Sequence, residues 1–246
     1  MGTVLASTIF TDAGRILLDP DSARWPSTER LVYLNAGQVE IVELKPDENA
    51  INDVYKMVAG TKQSIPDGTA TFQNATAQTL ARGLQLVKVV RNMGLTGLAA
   101  GSVISPVDMA MMDAMDPDWH TETAAATVKN YMFDERDPRR FYVTPPNLGT
   151  GYIEVVFSAM PAPIAVGGGG SYAVAITIGD NNQQRLLDYL LYRCYSKDAA
   201  LSPYNGERAV AHWNLFVQSL GRMDLVQKQY SPNVRHLSPS PSIKEV

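Results

Sequence analysis

Between Ser7 and Asp19 the apolar positions Ile9, Phe10, Ala13, Ile16 and Leu17 recur three and four residues apart, the spacing that gathers side chains on one face of an α-helix. Asp19-Pro20 ends that helix, because the residue before a proline is pushed out of helical φ/ψ. A second helix is predicted from near Trp25-Pro26-Ser27, where proline is tolerated in the first turn. It runs through Leu31, Leu34, Val39, Ile41 and Val42 to Leu44, and Pro46 stops it. The short turn containing Asp21, Ser22 and Arg24 makes these an antiparallel pair. Neither helix can bury its stripe alone, so partners must come from elsewhere in the chain.

After Pro46 the pattern changes to short runs of β-branched and aromatic residues bounded by Gly or Pro. They fall at 53–59, 84–93, 140–143, 152–160 and 172–178. Within 84–93, alternation puts Leu84, Leu86, Lys88 and Val90 on one face and Gln85, Val87, Val89 and Arg91 on the other. Neither face is cleanly polar, which predicts a sandwich or small open barrel. Gly94–Gly101, Thr144–Gly151 and Gly167–Gly170 read as turns or loops.

Helical spacing returns after Asp180, with one stripe at Leu186, Leu187, Leu190, Leu191 and Cys194 and another at Ala209, Val210, Trp213, Phe216, Val217 and Leu220. Pro203 marks the turn between them. The expected fold is α+β: a helical bundle built from N-terminal helices in 1–46 and C-terminal helices in 180–230, with an inserted β-rich domain over 47–179. Residues 231–246 carry three Ser-Pro dipeptides and little apolar content, so they read as an extended tail that orders only on a partner.

The 246 residues are 45% hydrophobic and 19% charged, which excludes a largely disordered chain. Lys+Arg 21 against Asp+Glu 25 leaves a net charge of −4, with no basic excess for a general grip on nucleic acid. The single cysteine, Cys194, excludes an internal disulfide framework and any multi-thiolate metal site. No run approaches the roughly 18 apolar residues of a membrane span, and the start MGTVLASTIF has no basic flank. A soluble intracellular protein with no membrane partner is expected.

The candidate chemistry is thin. Asp116, Asp118 and His120, with Asp108 and Asp113 nearby, would point three ligands one way in an extended segment. Methionines interleave with these acids, however, and Asp116-Pro117 is a turn signal, so solvated loop acids and no metal are expected. Cys194 lies on an apolar stripe, the place of an inert core thiol. Gly167–Gly170 lacks the Lys and Ser/Thr of a phosphate loop, and Gly149-Thr150-Gly151 precedes a strand and not a helix. Arg136, Arg139 and Arg140 interleave with Asp134, Glu135 and Asp137, which reads as a solvated ion-paired loop. No catalytic residue and no cofactor site emerges.

Several segments in order carry a resemblance. Tyr189–Asp198 (YLLYRCYSKD) is followed by Asn205-Gly206-Glu207-Arg208-Ala209 and Ala211-His212-Trp213. Upstream stand Arg24-Trp25, Glu29 and Leu34-Asn35-Ala36-Gly37-Gln38, and then Pro138, Phe141-Tyr142-Val143 and Pro145-Pro146 before the strand from Tyr152 to Phe157. Over about residues 7–230 this series resembles the head-to-tail adaptor (connector) proteins of short-tailed bacteriophages, the tail-tubular-A-like family, with Cys194 in place of the usual alanine. The resemblance implies a structural, non-enzymatic virion protein made in the host cytoplasm. It implies a homo-oligomeric ring, typically of twelve copies, at the portal vertex. Its partners would be the portal protein, the tail tube or nozzle protein and tail fibres, and DNA would pass through the channel without specific binding. Under that reading the tail residues Ser231, Pro232, Asn233, Val234, Arg235, His236 and Leu237 are the expected portal contact, and Gly167, Gly168, Gly169 and Gly170 the expected hinge. The alternative from another class is a carbohydrate-binding module or accessory enzyme, with Trp119 or Tyr142 as its aromatic surface.

Overall fold

The structure, a computed structural model, describes residues 2–134 and 136–230, with 222–230 as backbone only. In chain order its elements are α1 (Ala6–Leu17), α2 (Ser27–Leu44), β1 (Ala50–Lys56), β2 (Ala59–Ser64), β3 (Gly83–Asn92), β4 (Ser105–Pro106), α3 (Met109–Met115), β5 (Asn130–Phe133), β6 (Arg140–Leu148), β7 (Tyr152–Ala159), α4 (Gln183–Lys197) and α5 (Pro203–Tyr230). The fold is α+β, as the periodicities predict. The described residues form two compact units: one takes those up to Gln38, Ile164–Ile176 and those from Asp180, the other Val39–Pro163 and Thr177–Gly179.

In the helical unit, α1 buries Ala6, Ile9, Phe10, Ala13, Gly14 and Leu17 and packs on α4. The helix α4 also packs on α5 and is buried nearly all round, its polar Arg185 and Asp188 included. On α5 the inward stripe is narrower than the spacing suggests. Ala209, Phe216 and Leu220 are buried, whereas Val210 and Val217 face solvent. Pro203 is itself the first residue of α5, the position where its missing N–H leaves no intrahelical bond unmade.

The run 172–178 is not a strand of the β region. A single bridge joins Ala175 to Leu5, and the N–H groups of Ala6 and Ser7 donate to the carbonyls of Val174 and Tyr172 at 2.9 and 3.0 Å. A helix start leaves its first N–H groups without intrahelical partners, and Leu5 offers no side-chain cap. The extended run supplies backbone acceptors to α1 instead.

In the β unit, β1, β7 and β3 form an antiparallel sheet in the order β1-β7-β3, and β2-β6-β5-β4 form a second in which β4 runs parallel to β5. Among the described residues no closed barrel forms. Leu86, Val89, Val155 and Phe157 of the first sheet meet Tyr131, Phe141 and Val143 of the second in one apolar core. The unpredicted strands, β2, β4 and β5, are short or lack alternation.

β3 shows why alternation fails. Its pairing with β7 shifts register between Gly83 and Gln85, between Leu86 and Lys88, and between Val89 and Arg91. The inward residues Ala159, Phe157, Val155 and Ile153 therefore oppose Gly83, Leu86, Val89 and Asn92. The strand uses three residues where its partner uses two, each extra residue a bulge, so its buried positions recur every third residue.

Asn92, at the end of that series, is buried. Its Nδ2 donates to the carbonyls of Val128 and Ser102 at 2.8 and 3.1 Å, and its Oδ1 accepts from Val128 N–H at 2.9 Å. Each buried group left without a partner costs about 1–3 kcal/mol. Asn92→Ala is therefore expected to lower unfolding free energy by about 2–4 kcal/mol, read as a lower urea midpoint. An unchanged midpoint would show that water replaces the amide at no cost.

Candidate functional site

The quoted motif residues converge in the helical unit on a buried polar network. Its deepest member is Arg30, whose side chain is 1% exposed. Nη1 donates to the Phe10 carbonyl at 3.1 Å, and Nη2 donates to the Asp19 carbonyl at 3.2 Å and to its carboxylate at 3.0 Å. Room for the guanidinium comes from Gly14, where a Cβ would stand 3.3 Å from Nη1 and 3.1 Å from the Asp19 carbonyl. The Asp19 carboxylate also accepts from the backbone N–H groups of Ala23, Arg24 and Trp25. Burial would raise its pKa, but these N–H groups and the Arg30 charge outweigh that and hold it below the ordinary carboxylate value.

A second layer joins the start of α2 to the end of α4. Arg24 Nε donates to Asp198 at 2.6 Å, and Lys197 Nζ donates to Glu29 at 2.6 Å. Glu29 also accepts from the Tyr33 hydroxyl at 2.6 Å. The Lys197 bond first and the Tyr33 bond second lower the Glu29 pKa, while burial and then Glu29 push the Tyr33 phenol up to about 12. Arg193 sits over the Tyr33 ring at 5.0 Å. Gly37 lets α2 approach α4 closely, since a Cβ there would fall 2.8 Å from Tyr189.

The third side is α5. Arg208 lies over the Tyr195 ring at 5.7 Å, and His212 stacks on the same tyrosine while its Nδ1 is 3.0 Å from Asp188. Arg24, Glu29, Gly37, Tyr189, Arg193, Tyr195, Lys197, Asp198, Arg208 and His212, all read from the sequence as family-like, are thus joined in pairs or through Tyr33 and Asp188, linking α2 and the turn before it to α4 and α4 to α5. Asp19 reads from the sequence only as a helix end, and Arg30 is not singled out there. The signal was present in an arginine flanked by the apolar stripe of its own helix, at a position where a solvated charge does not belong.

Other sequence candidates resolve differently. Cys194 is buried, and burial pushes its thiol up to about 12, so it packs as an apolar residue. Asp116, Asp118 and His120 do not share an extended segment. Asp108 caps α3 by accepting from Met111 N–H at 3.1 Å, and His120 lies in a 3-10 turn. Among the described residues no group of three or more metal-type ligands forms. Trp119 is 1% exposed and its Nε1 donates to Asp113 at 2.9 Å, so it offers no aromatic platform. Arg140, the first residue of β6, pairs with Asp137 of the preceding turn at 3.6 Å. Gly167–Gly170 lie in the segment of the helical unit that precedes the α1 contact, with φ of 69° at Gly169 and 80° at Gly170. The expected portal contact, Ser231–Leu237, lies outside the described residues.

Set against known proteins, residues 5–236 match the family model described as SU10 adaptor protein. No curated protein matches.

Both Asp19 and Glu29 have folded-state pKa values below their unfolded ones. Their contribution is therefore present above the unfolded carboxylate range near 4 and is lost as pH falls through the lower folded values. Stability is expected to drop steeply below about pH 4. Asp19→Asn, which cannot titrate, should be less stable at pH 7 and should show a shallower acid slope. Parallel slopes in a pH series of chemical denaturation would exclude Asp19 as a contributor.

Proposed function

Because the chain belongs to the SU10 adaptor protein family, a family of bacteriophage structural proteins, we propose that it is the head-to-tail adaptor of a short-tailed phage. In this reading about twelve copies close into a ring, with the portal on one side, the tail tube or nozzle protein on the other, tail fibres as further neighbours and DNA passing through the middle. The observation that carries the reading is the match over residues 5–236, in which the residues that look most family-like tie three helices together. A subunit that must bear load between two assemblies gains from such cross-bracing, because ion pairs and ring contacts fix the helices in one register. The net charge of −4 suits a passage through which DNA slides, since each phosphate contact would add a salt-dependent trap.

Two parts of the chain are assigned roles within this reading. Ser231–Leu237 are the portal contact, in a Ser-Pro-containing segment of low apolar content. Gly167–Gly170 are the hinge used on assembly. A Cβ on Gly168, Gly169 or Gly170 would meet nothing within 4 Å, so the positive φ at the latter two, and not crowding, is what calls for glycine.

Electron microscopy and light scattering of the purified protein, with and without portal rings from the same phage, test the proposal. Rings are expected alone or on the portal. Deleting 231–246 should weaken co-sedimentation with the portal, and Gly170→Pro, incompatible with φ of 80°, should impair ring closure while leaving the monomer folded. A monomer that ignores the portal would overturn the adaptor reading.

A further inference from the structure

The helix α3, MAMMDAM, buries none of its residues. Seven residues fall well short of the roughly 12–15 at which an isolated helix becomes even marginal in water. Met111 and Met115 are 58% and 73% exposed. The helix is held from below by its cap on Asp108 and by Asp113, which accepts from Trp119. Trp119 lies edge-on to Tyr142 at 6.2 Å, and Thr144 donates to Glu122. Tyr142 and Thr144 alternate on β6 with Phe141 and Val143, which point into the core. The segment bearing α3 therefore covers the outer side of the four-stranded sheet. Between Arg91 and Lys129 the sequence has five acids and no Lys or Arg, so this covering segment is apolar and acidic, beside the exposed Lys62 and Arg140 that share the sheet's outer side with Tyr142.

The outer side of the other sheet has the opposite character. Val156 of β7 stands between Asn52 and Lys88, and Glu154 between Val54 and Arg91. Glu154 is neutralised within the face, accepting from Asn52 and pairing with Arg91. Lys56 and Lys88, both exposed, make no ion pair among the described residues. Val87, an extra residue of the three-for-two register, is 48% exposed beside them. Since the two sheets share one core, these outer sides face away from each other.

We infer that the exposed methionines of α3, with Asp118 just beyond the helix, dock on the Val87–Lys88 face of a second copy of this chain. This rests on the ring reading and assigns it an interface. The occupant follows from charge: the complement of the acidic apolar segment is present on the same unit, on its far side. A contact between two different faces is heterologous and repeats from copy to copy, the kind that closes into a ring or runs on as a filament. Methionines suit it, being unbranched and able to fit an irregular surface.

Assembly of the full-length chain, alone and on portal rings, provides the test, with sedimentation as readout and circular dichroism to verify folding. Met111→Ser/Met115→Ser, Asp118→Lys and Lys88→Glu change exposed side chains outside the core. Each is expected to raise the concentration needed for assembly about tenfold, the charge variants more at low salt, and Asp118→Lys/Lys88→Glu in one chain is expected to recover most of that loss. Single variants that assemble like the unmodified chain would overturn this interface while leaving the ring reading intact. Single losses without recovery would overturn the pairing of the two faces. Normal assembly with lost binding of a tail protein would give the α3 face to that protein and overturn the second-copy assignment. An unmodified chain that never assembles would overturn the ring reading itself.

Discussion

The helical unit depends on a charge that has been taken out of water. Removing one partner of a buried ion pair costs about 3–5 kcal/mol because the other is left uncompensated, so Arg30 constrains everything that must stay around it. Its two carbonyl partners lie at different places along the chain, Phe10 within α1 and Asp19 after it. The guanidinium thereby fixes where α1 ends relative to α2. Asp19 in turn gathers three successive N–H groups of the following turn. That turn positions Arg24 toward Asp198, and α2 then carries Glu29 to Lys197. Each later contact presupposes the earlier one, and Gly14 is the concession in α1 that allows it, since glycine inside a helix costs about 1 kcal/mol relative to alanine.

The β unit obeys a different constraint, the need to keep one face of β3 on the core while its partner advances faster. Three bulges solve it. The extra residues are pushed outward, so the same irregularity that fills the core with Leu86 and Val89 also places Val87 and Lys88 on the surface. Bulges are features that re-aim side chains, and here the re-aimed ones form the outward face of the sheet.

This contrast explains what the sequence made legible. The four long helices follow from three-and-four spacing because their core faces are continuous; α1 and α2 begin within a residue or two of the predicted starts. β7 is legible because its alternation is unbroken, with Ile153, Val155 and Phe157 all inward. β3 is visible as a strand but its faces are not, since alternation presumes two residues per repeat and the strand uses three. The run 172–178 has strand composition and serves as backbone cap to α1, a role set by what lies beside it. The motif residues were legible as a family pattern, but their mutual contacts were not, because Glu29 and Lys197 are 168 positions apart. Val210 and Val217 illustrate the reverse error: apolar spacing marks a face without saying whether it is covered.

The network also limits where partners can bind. A charged side chain already held by an internal partner must lose that partner or share it to make a new contact, and desolvating it again gains little. Arg24, Glu29, Lys197 and Asp198 are committed in this way, and the Glu154–Arg91 pair is committed likewise in the β unit. Residues that brace the subunit are thus poor candidates for the surfaces that join it to its neighbours. Those surfaces must draw on side chains the brace does not use, which are exposed apolar groups such as Met115 and Val87 and charges such as Lys88 that make no ion pair among the described residues. Such positions can change together with a partner without disturbing the fold, so family-like residues define the subunit and the residues between them define what it fits.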